Sequence, residues 1–128
     1  MTGRAQERRD RAAAERLGRW AEWRCVWWLR LGGYRILARR YRTPVGEIDI
    51  IARRGALVIF VEVKARRDID SALFSVGERQ MLRLSRASEM FLARYPRLAQ
   101  EPRRFDVMAV SGRLWPTHVR DAWRPPAE

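Results

Sequence analysis

Two acidic residues and one lysine near the middle of the chain have types and spacing that could do chemistry together. Asp49 lies in one apolar segment, and Glu62 and Lys64 end the next one. Carboxylates placed close together bind divalent cations such as Mg²⁺, and an ammonium group stabilises anionic charge beside them. Lys64 is the single lysine among 27 basic residues. A lysine pKa shifts readily on burial whereas arginine stays charged, so this position is a candidate for a specific role.

A predicted β-hairpin brings these residues to one face of a sheet. With Gly55-Ala56 as a two-residue turn, glycine takes the first central position that a type II′ turn requires. Counting outward from the turn sets Asp49 opposite Glu62 and Glu47 opposite Lys64. Paired residues share a face at a Cβ separation of about 5 Å. Like charges so close need a cation between them; the alternative is an ordinary salt bridge at the strand end.

The strand before Glu62 is continuously apolar from Leu57 to Val61. Such a run is typical of a central strand covered on both faces. A glutamate in that setting is costly without a partner or a metal, which favours the functional interpretation over the salt bridge.

Around this hairpin, the sequence predicts an α/β domain with a mixed sheet flanked by helices, in the order α-β-β-β-α-β-β. Ser75 and Glu78 form a capping-box pattern at the start of the second helix, which Pro96 ends. Residues 1–17 are expected to be a frayed part of the first helix, 18–123 the single domain, and 124–128 a frayed tail. The predicted helices are 7–31 and 75–95, the strands are 34–42, 47–53, 57–64, 104–110 and 114–119, and 65–74 is a loop.

Composition restricts the function classes. The net charge of +12 predicts a polyanionic partner, with nucleic acid first and an anionic membrane surface second. No apolar run is long enough for a transmembrane span. One cysteine and one histidine exclude a conventional zinc site and an internal disulfide. We therefore expect a cytoplasmic protein with a polyanionic partner, and charge alone does not choose between nucleic acid and a membrane surface.

These residues resemble a known pattern. The segment Gly46-Glu47-Ile48-Asp49, followed by Phe60-Val61-Glu62-Val63-Lys64, resembles the core of the PD-(D/E)XK nuclease superfamily. Within it, the chain is similar to the YraN-like family of predicted endonucleases, related to Holliday junction resolvases. Weaker matches lie at Gly18 to Glu22, Gly33 to Leu37 and Arg104 to Val107.

The resemblance implies a restriction-endonuclease-like fold and hydrolysis of phosphodiester bonds with Mg²⁺ or Mn²⁺. Asp49, Glu62 and the Val63 carbonyl would bind the metal, and Lys64 would orient or deprotonate the attacking water or stabilise phosphate charge. Glu22 would complete the catalytic set, through water or the metal. Two supporting positions are Gln80, where relatives tend to carry a lysine, and Glu47, which we expect to position Lys64.

The first helix also carries an aromatic stripe. Trp20, Trp23, Trp27 and Leu31 fall on one side of a helical wheel, opposite Glu22. We expect a homodimer contact there; the alternative is packing by Trp115 or Trp123.

Arginines near the acidic hairpin in sequence are candidates for a phosphate track. They are Arg39, Arg40, Arg42, Arg53, Arg54, Arg66 and Arg67. Structured or branched DNA is the expected substrate, because no module for base readout is visible. Two alternatives remain: a DNA-binding accessory protein of recombination or repair without catalysis, and an RNA-binding or membrane-surface protein.

Overall fold

Two helical layers cover a five-stranded sheet. The computed structural model describes residues 2–66, 68–112 and 115–125. The helices are α1 (Thr2–Leu31), α2 (Ile69–Phe74), α3 (Glu78–Arg94) and α4 (Pro96–Ala99). The strands are β1 (Arg35–Thr43), β2 (Gly46–Arg54), β3 (Leu57–Lys64), β4 (Arg103–Ala109) and β5 (Thr117–Trp123).

The strands lie in sequence order across one mixed sheet. β1, β2 and β3 form an antiparallel meander, β4 pairs parallel to β3, and β5 pairs antiparallel to β4. Parallel neighbours need a long crossover, and α2, α3 and α4 provide it between β3 and β4. The predicted mixed α/β fold with flanking helices is confirmed.

Each face of the sheet has its own apolar core. On one face, Cys25, Val26 and Leu29 of α1 pack with residues such as Ile50 and Ile59. On the other, the α3 residues Leu84 and Phe91 pack with Ile51 and Phe60. β3 is the middle strand and contributes to both cores, as its continuous apolar sequence predicts.

The predicted hairpin turn is confirmed. Arg54 pairs with Leu57, and Gly55 has φ +59°, in the region that glycine adopts without strain. The paired residues run from there to Ile50 and Val61. Asp49 and Glu62 are the next residues on their strands, so the turn places both at the end of the ladder.

The aromatic stripe faces away from the sheet, as the helical wheel predicts. Trp20, Trp23 and Trp27 are exposed, while Glu22 on the opposite side is buried. Neither C-terminal tryptophan covers the stripe. Trp123 packs on Phe105 in the α3-side core, and exposed Trp115 contacts Trp28.

Three details between β3 and β5 differ from the prediction. The expected loop 65–74 contains α2, whose N-cap Asp68 accepts a hydrogen bond from the Ser71 amide. The capping box is wrong, because the Ser75 hydroxyl donates to the Ala72 carbonyl and Gly77 is the N-cap of α3. The last strand is Thr117–Trp123 rather than 114–119.

Two helix ends also extend beyond the prediction. Pro96 ends α3 but also begins α4, as a proline at the first turn allows. The helix α1 begins at Thr2, so regular structure continues through the segment expected to fray. Among the described residues, no helix has the length and apolar character that crossing a membrane requires.

Candidate functional site

Asp49 lies where β2 and β3 separate. Its Oδ2 atom accepts a hydrogen bond from the Val63 backbone amide at 2.8 Å. The Asp49 side chain thus takes the place of a backbone partner for Val63, just beyond Ile50 and Val61, the last paired residues of the two strands. This bond fixes the carboxylate and opens the sheet edge beside it.

Glu62, Lys64 and Gln80 form a closed triangle of polar contacts. The Lys64 Nζ lies 3.3 Å from Glu62 Oε1, and Gln80 Nε2 donates to the same oxygen at 3.0 Å. The Gln80 Oε1 accepts from Lys64 Nζ at 3.5 Å. An amide can do both at once because it has a donor and an acceptor. Gln80, from α3, therefore holds the lysine against the carboxylate.

Burial makes this carboxylate pair hard to ionise. Burial, with the neighbouring Glu62 charge second, raises the pKa of Asp49 to about 7, although the Val63 amide hydrogen bond opposes the shift. Burial also raises the pKa of Glu62, despite the opposing effects of Lys64 and Gln80. The single ammonium of Lys64 does not balance the charges of two carboxylates withdrawn from water. A further positive charge at the site would therefore favour their ionised forms.

The donor set suits a hard divalent cation. Asp49 and Glu62 offer carboxylate oxygens, and Val63, whose amide contacts Asp49, offers a backbone carbonyl. These are ligands that Mg²⁺ accepts alongside water. Within the described ranges, no group of three or more His, Cys, Asp and Glu side chains could hold a metal ion. A cation here would therefore depend on two carboxylates, the carbonyl and solvent.

Glu22 approaches from the α1 side and is held by arginines. Its Oε2 accepts from Arg40 Nε at 3.2 Å, and its Oε1 lies 3.8 Å from Arg39 Nη1. Arg40 has φ +50°, a left-handed conformation that a non-glycine residue adopts at a cost of about 1–3 kcal/mol. Glu22 lines the same cleft as Asp49, of about 450 Å³. Among the residues that the structure describes, Glu22 belongs to no group of three metal-ligating side chains, and its contact with a metal through water stays a prediction.

Glu47 does not take the expected role of positioning Lys64. Its Oε2 lies 3.6 Å from the Arg42 Nε, and its side chain is 43% exposed. The ammonium is held by Glu62 and Gln80 instead. The cause is the opening of the hairpin at Asp49, because the ladder ends before Glu47 can pair across it.

Four of the seven arginines proposed for the phosphate track fall into two groups. Arg40 and Arg42 line the cleft with Asp49. Arg53 and Arg54 lie at the turn end of β2, about 14–17 Å along the strand from Asp49 at 3.4 Å per residue. There Arg53 pairs with Glu101, and Arg54 lies over the Tyr34 ring. The closeness of Arg53 and Arg54 to Asp49 in sequence therefore predicts the wrong location for them.

The remaining track residues vary in their surroundings. Arg39 contacts Glu22 on the rim of the cleft. Arg66 is exposed just after β3. Arg67 lies outside the described residues.

Sequence reasoning missed basic residues on the α3 side. A second cleft of about 630 Å³, which shares Asp49 with the first, is lined by Glu62, Gln80, Arg79 and Arg83. Arg83 lies three residues after Gln80, one turn along the helix, so helical spacing from Gln80 could have identified it. Arg19 on α1 lines the first cleft. The carboxylate pair is thus bordered by arginines on both sides of the sheet.

A second buried polar cluster, between β4 and β5, was also missed. Asp106 accepts hydrogen bonds from Arg104 Nε at 2.8 Å and from the Asp121 amide at 2.9 Å. His118 Nε2 lies 2.7 Å from its Oδ2. The Arg104-x-Asp106 spacing and the single histidine were the available signals. Since Asp106 ties β5 to β4, we assign this cluster to the fold.

Comparisons with known proteins identify a family. The family model described as Uncharacterised protein family UPF0102 matches residues 21–110. A UPF0102 protein of Parvibaculum lavamentivorans is 51% identical over 113 residues, which cover 88% of this chain and 85% of that protein. One from Bradyrhizobium diazoefficiens is 49% identical over 114 residues, covering 89% and 86%. One from Maricaulis maris is 46% identical over 117 residues, covering 91% and 92%. The chain therefore belongs to the UPF0102 family, the YraN-like family that its motifs resemble.

Proposed function

We propose that the protein is a divalent-metal-dependent endonuclease of the PD-(D/E)XK type that hydrolyses phosphodiester bonds in DNA. The observation that supports this most is the pairing of half-buried Asp49 with buried Glu62 next to Lys64, where β2 and β3 separate and arginines border the site. A structural salt bridge would not need the second carboxylate, whose presence raises the cost of ionising the first. Binding of a cation would offset the free-energy cost of ionising both carboxylates.

Each residue of the site has a distinct part in the proposed reaction. Asp49 and Glu62, with the Val63 carbonyl, would hold Mg²⁺ or Mn²⁺. When bound, the cation would supply Lewis-acid stabilisation of phosphate charge and activation of water. Lys64 would donate to a phosphate oxygen or orient the attacking water, from the position that Gln80 maintains. Arg40, Arg42, Arg79 and Arg83 would bind neighbouring phosphates without reading sequence.

The proposed substrate is structured or branched DNA. The chain carries no sequence motif of a module that reads base edges in the major groove. Two clefts, each lined by both arginines and carboxylates, lie on the two faces of the sheet where β2 and β3 separate, with Asp49 common to both. Two phosphate paths that meet at one point suit a branch better than a single straight duplex.

A cleavage assay tests the proposal. Four-way, flapped and linear DNA would be incubated with wild type and Lys64 variants in Mg²⁺ or Mn²⁺. We expect Lys64→Ala to lose cleavage by several orders of magnitude while still binding DNA. Lys64→Arg should not restore it, because the planar guanidinium is larger and cannot give up a proton. Arg97→Lys, the reverse exchange on the exposed α4, is the matched control and should cleave as wild type does.

A non-catalytic DNA-binding role is the second candidate. It is favoured by the lack of a third metal-ligating side chain within the described ranges. Binding of branched DNA without cleavage in either metal would support this role and contradict the nuclease proposal. Full cleavage activity of Lys64→Arg would contradict the role assigned to Lys64.

A further inference from the structure

The exposed face of α1 carries three tryptophans, each covered by an arginine. Their side chains are 59%, 42% and 54% exposed at Trp20, Trp23 and Trp27. The guanidinium of Arg24 lies 5.3 Å from the Trp20 ring centre, and that of Arg30 lies 5.2 Å from Trp27. We call Trp20, Trp23 and Trp27 with these arginines the Trp/Arg stripe. Exposed aromatic groups of this size mark a binding surface.

The stripe is continuous with the candidate site. The Arg39 guanidinium lies 4.1 Å from the Trp23 ring centre and 3.8 Å from Glu22. Glu22 and Arg19, on the same helix, line the cleft that contains Asp49. A chain of nucleotides leaving the cleft would therefore meet Trp23 first.

The charges favour a polyanion over a second copy of this chain. A homodimer through this face would bring together two surfaces that each carry Arg24, Arg30 and Arg39, within a chain of net charge +12. Like charges at an interface oppose association. A nucleic acid strand would instead place phosphates beside the guanidiniums and bases against the rings.

The spacing fits successive bases of a single strand. Trp20, Trp23 and Trp27 are three and four residues apart, which is about 4.5 and 6 Å along a helix axis. Bases in a duplex are already stacked on each other, whereas unpaired bases have faces free to stack on aromatic rings. Rings interleaved with arginines are the combination that binds single strands without sequence preference.

We infer that the Trp/Arg stripe binds a single-stranded segment of DNA adjacent to the candidate site. This inference deepens the proposed function, on which it rests for the choice of DNA, by naming a substrate class: DNA in which a single strand leaves a duplex or branch. The expected binding is electrostatic at the arginines and sequence-tolerant at the rings.

The test is binding of labelled oligo-dT and of a blunt duplex of equal length, by fluorescence anisotropy in EDTA. We expect Trp23→Ala and Trp27→Ala each to weaken oligo-dT binding about fivefold or more, with less than a twofold change for the duplex. Trp27→Phe should recover most of the loss, because a ring remains to stack on. Alanine at these exposed helical positions favours the helix, so folding should be unaffected.

Two controls separate the stripe from other effects. Trp115→Ala removes a tryptophan of similar exposure (58%) that lies outside α1, and should leave oligo-dT binding unchanged. Leu31→Ala removes an apolar side chain that is 72% exposed at the end of the stripe. Stacking of bases on the tryptophan rings does not involve Leu31, whereas a hydrophobic dimer contact would include it.

Three outcomes would overturn the inference: unchanged oligo-dT affinity in both alanine variants, equal losses for oligo-dT and duplex, or a wild-type dimer in light scattering that Leu31→Ala and Trp27→Ala both dissociate. The last would assign the face to a homodimer. Failure of this inference can be distinguished from failure of the proposed nuclease activity. If the nuclease proposal fails, wild type does not cleave DNA in Mg²⁺ or Mn²⁺. The ratio of oligo-dT to duplex affinity is measured in EDTA and tests the Trp/Arg stripe independently of cleavage.

Discussion

At the scale of single residues, the protein places two carboxylates where neither ionises easily. Asp49 gains one amide hydrogen bond but loses solvent and faces Glu62. A protein that used these groups only for stability would be expected to have a neutral side chain at one position. The arrangement is understandable if a cation occupies the site during function.

The first prediction concerns the pH dependence of Asp49→Asn. The folded-state pKa of Asp49, about 7, is above its ordinary value, so folding favours the protonated form. Its stabilising effect is full below pH 4 and is lost as pH rises through about 7. Relative to wild type without metal, Asp49→Asn should therefore gain stability as pH rises across that window, by a few kcal/mol. Denaturant unfolding at several pH values measures this.

A matched control is Asp70→Asn, on the exposed surface of α2. This substitution also replaces an aspartate by asparagine, but at a side chain that is exposed and outside both clefts. A constant difference between Asp49→Asn and wild type from pH 4 to 8 would contradict the assigned environment of Asp49.

At the scale of elements, turn chemistry made part of the site predictable. Gly55 in a two-residue turn sets the register of β2 against β3, and register brings Asp49 and Glu62 together. The apolar run of β3 predicts its central position. These inferences depend on local rules with a fixed period of two, which is why they hold.

Other features depend on contacts that no local rule contains. The hairpin opens at Asp49 because a side chain replaces a strand partner, and this moves Glu47 away from Lys64. The six-residue α2 is too short for a helical period to be visible. Arg53 and Arg54 are close to Asp49 in sequence, yet an extended strand carries them to its far end.

The second prediction concerns the link between β4 and β5. Asp106 is fully buried, and burial raises its pKa, but hydrogen bonds from Arg104, His118 and the Asp121 amide outweigh this and hold the pKa below its ordinary value. Asp106→Ala removes the carboxylate that Arg104 and His118 contact. Among the described residues, this leaves Arg104 with only the Tyr34 hydroxyl as a hydrogen-bond partner. We therefore expect a loss of about 3 kcal/mol or more in the free energy of unfolding. Denaturant unfolding at neutral pH measures this.

The stability that Asp106 contributes to the fold also depends on pH, with the opposite sign to that of Asp49. A lowered folded-state pKa contributes stability above the ordinary value near 4, and that stability is lost as pH falls through the folded value. Asp121→Asn is the control, since its side chain is exposed and only its amide contacts Asp106. Equal stability of Asp106→Ala and Asp121→Asn would contradict the structural role of this cluster.

At the scale of the whole molecule, the net charge of +12 predicts a polyanionic partner. Arginines line both clefts beside the carboxylates, and others lie on α1. This prediction of a polyanionic partner follows from composition alone. Only the fold shows that the arginines converge on Asp49 from both faces of the sheet.

The third prediction concerns the salt dependence of DNA binding. Because binding would release counterions from phosphates, the logarithm of the affinity should fall linearly with the logarithm of salt concentration. We expect at least about a hundredfold loss between about 50 and 200 mM salt. Arg83→Ala, beside Gln80, should reduce the slope by about one. Arg97→Ala, beyond the far end of the 17-residue α3, should leave it unchanged. A flat dependence, or equal slopes for both variants, would contradict the proposed cleft.

The most direct test of the central claim is calorimetric titration of Mg²⁺ and Mn²⁺ into wild type, Asp49→Ala, Glu62→Ala and Glu47→Ala. Glu47 is the control for the loss of a nearby negative charge. It lines both clefts with Asp49, but its carboxylate is 43% exposed and lies 3.6 Å from Arg42. We predict that wild type and Glu47→Ala bind the metal and that Asp49→Ala and Glu62→Ala do not, although both remain folded. Metal binding that is equal in wild type and Asp49→Ala, or absent from wild type, would contradict the assignment of these two carboxylates as a metal site.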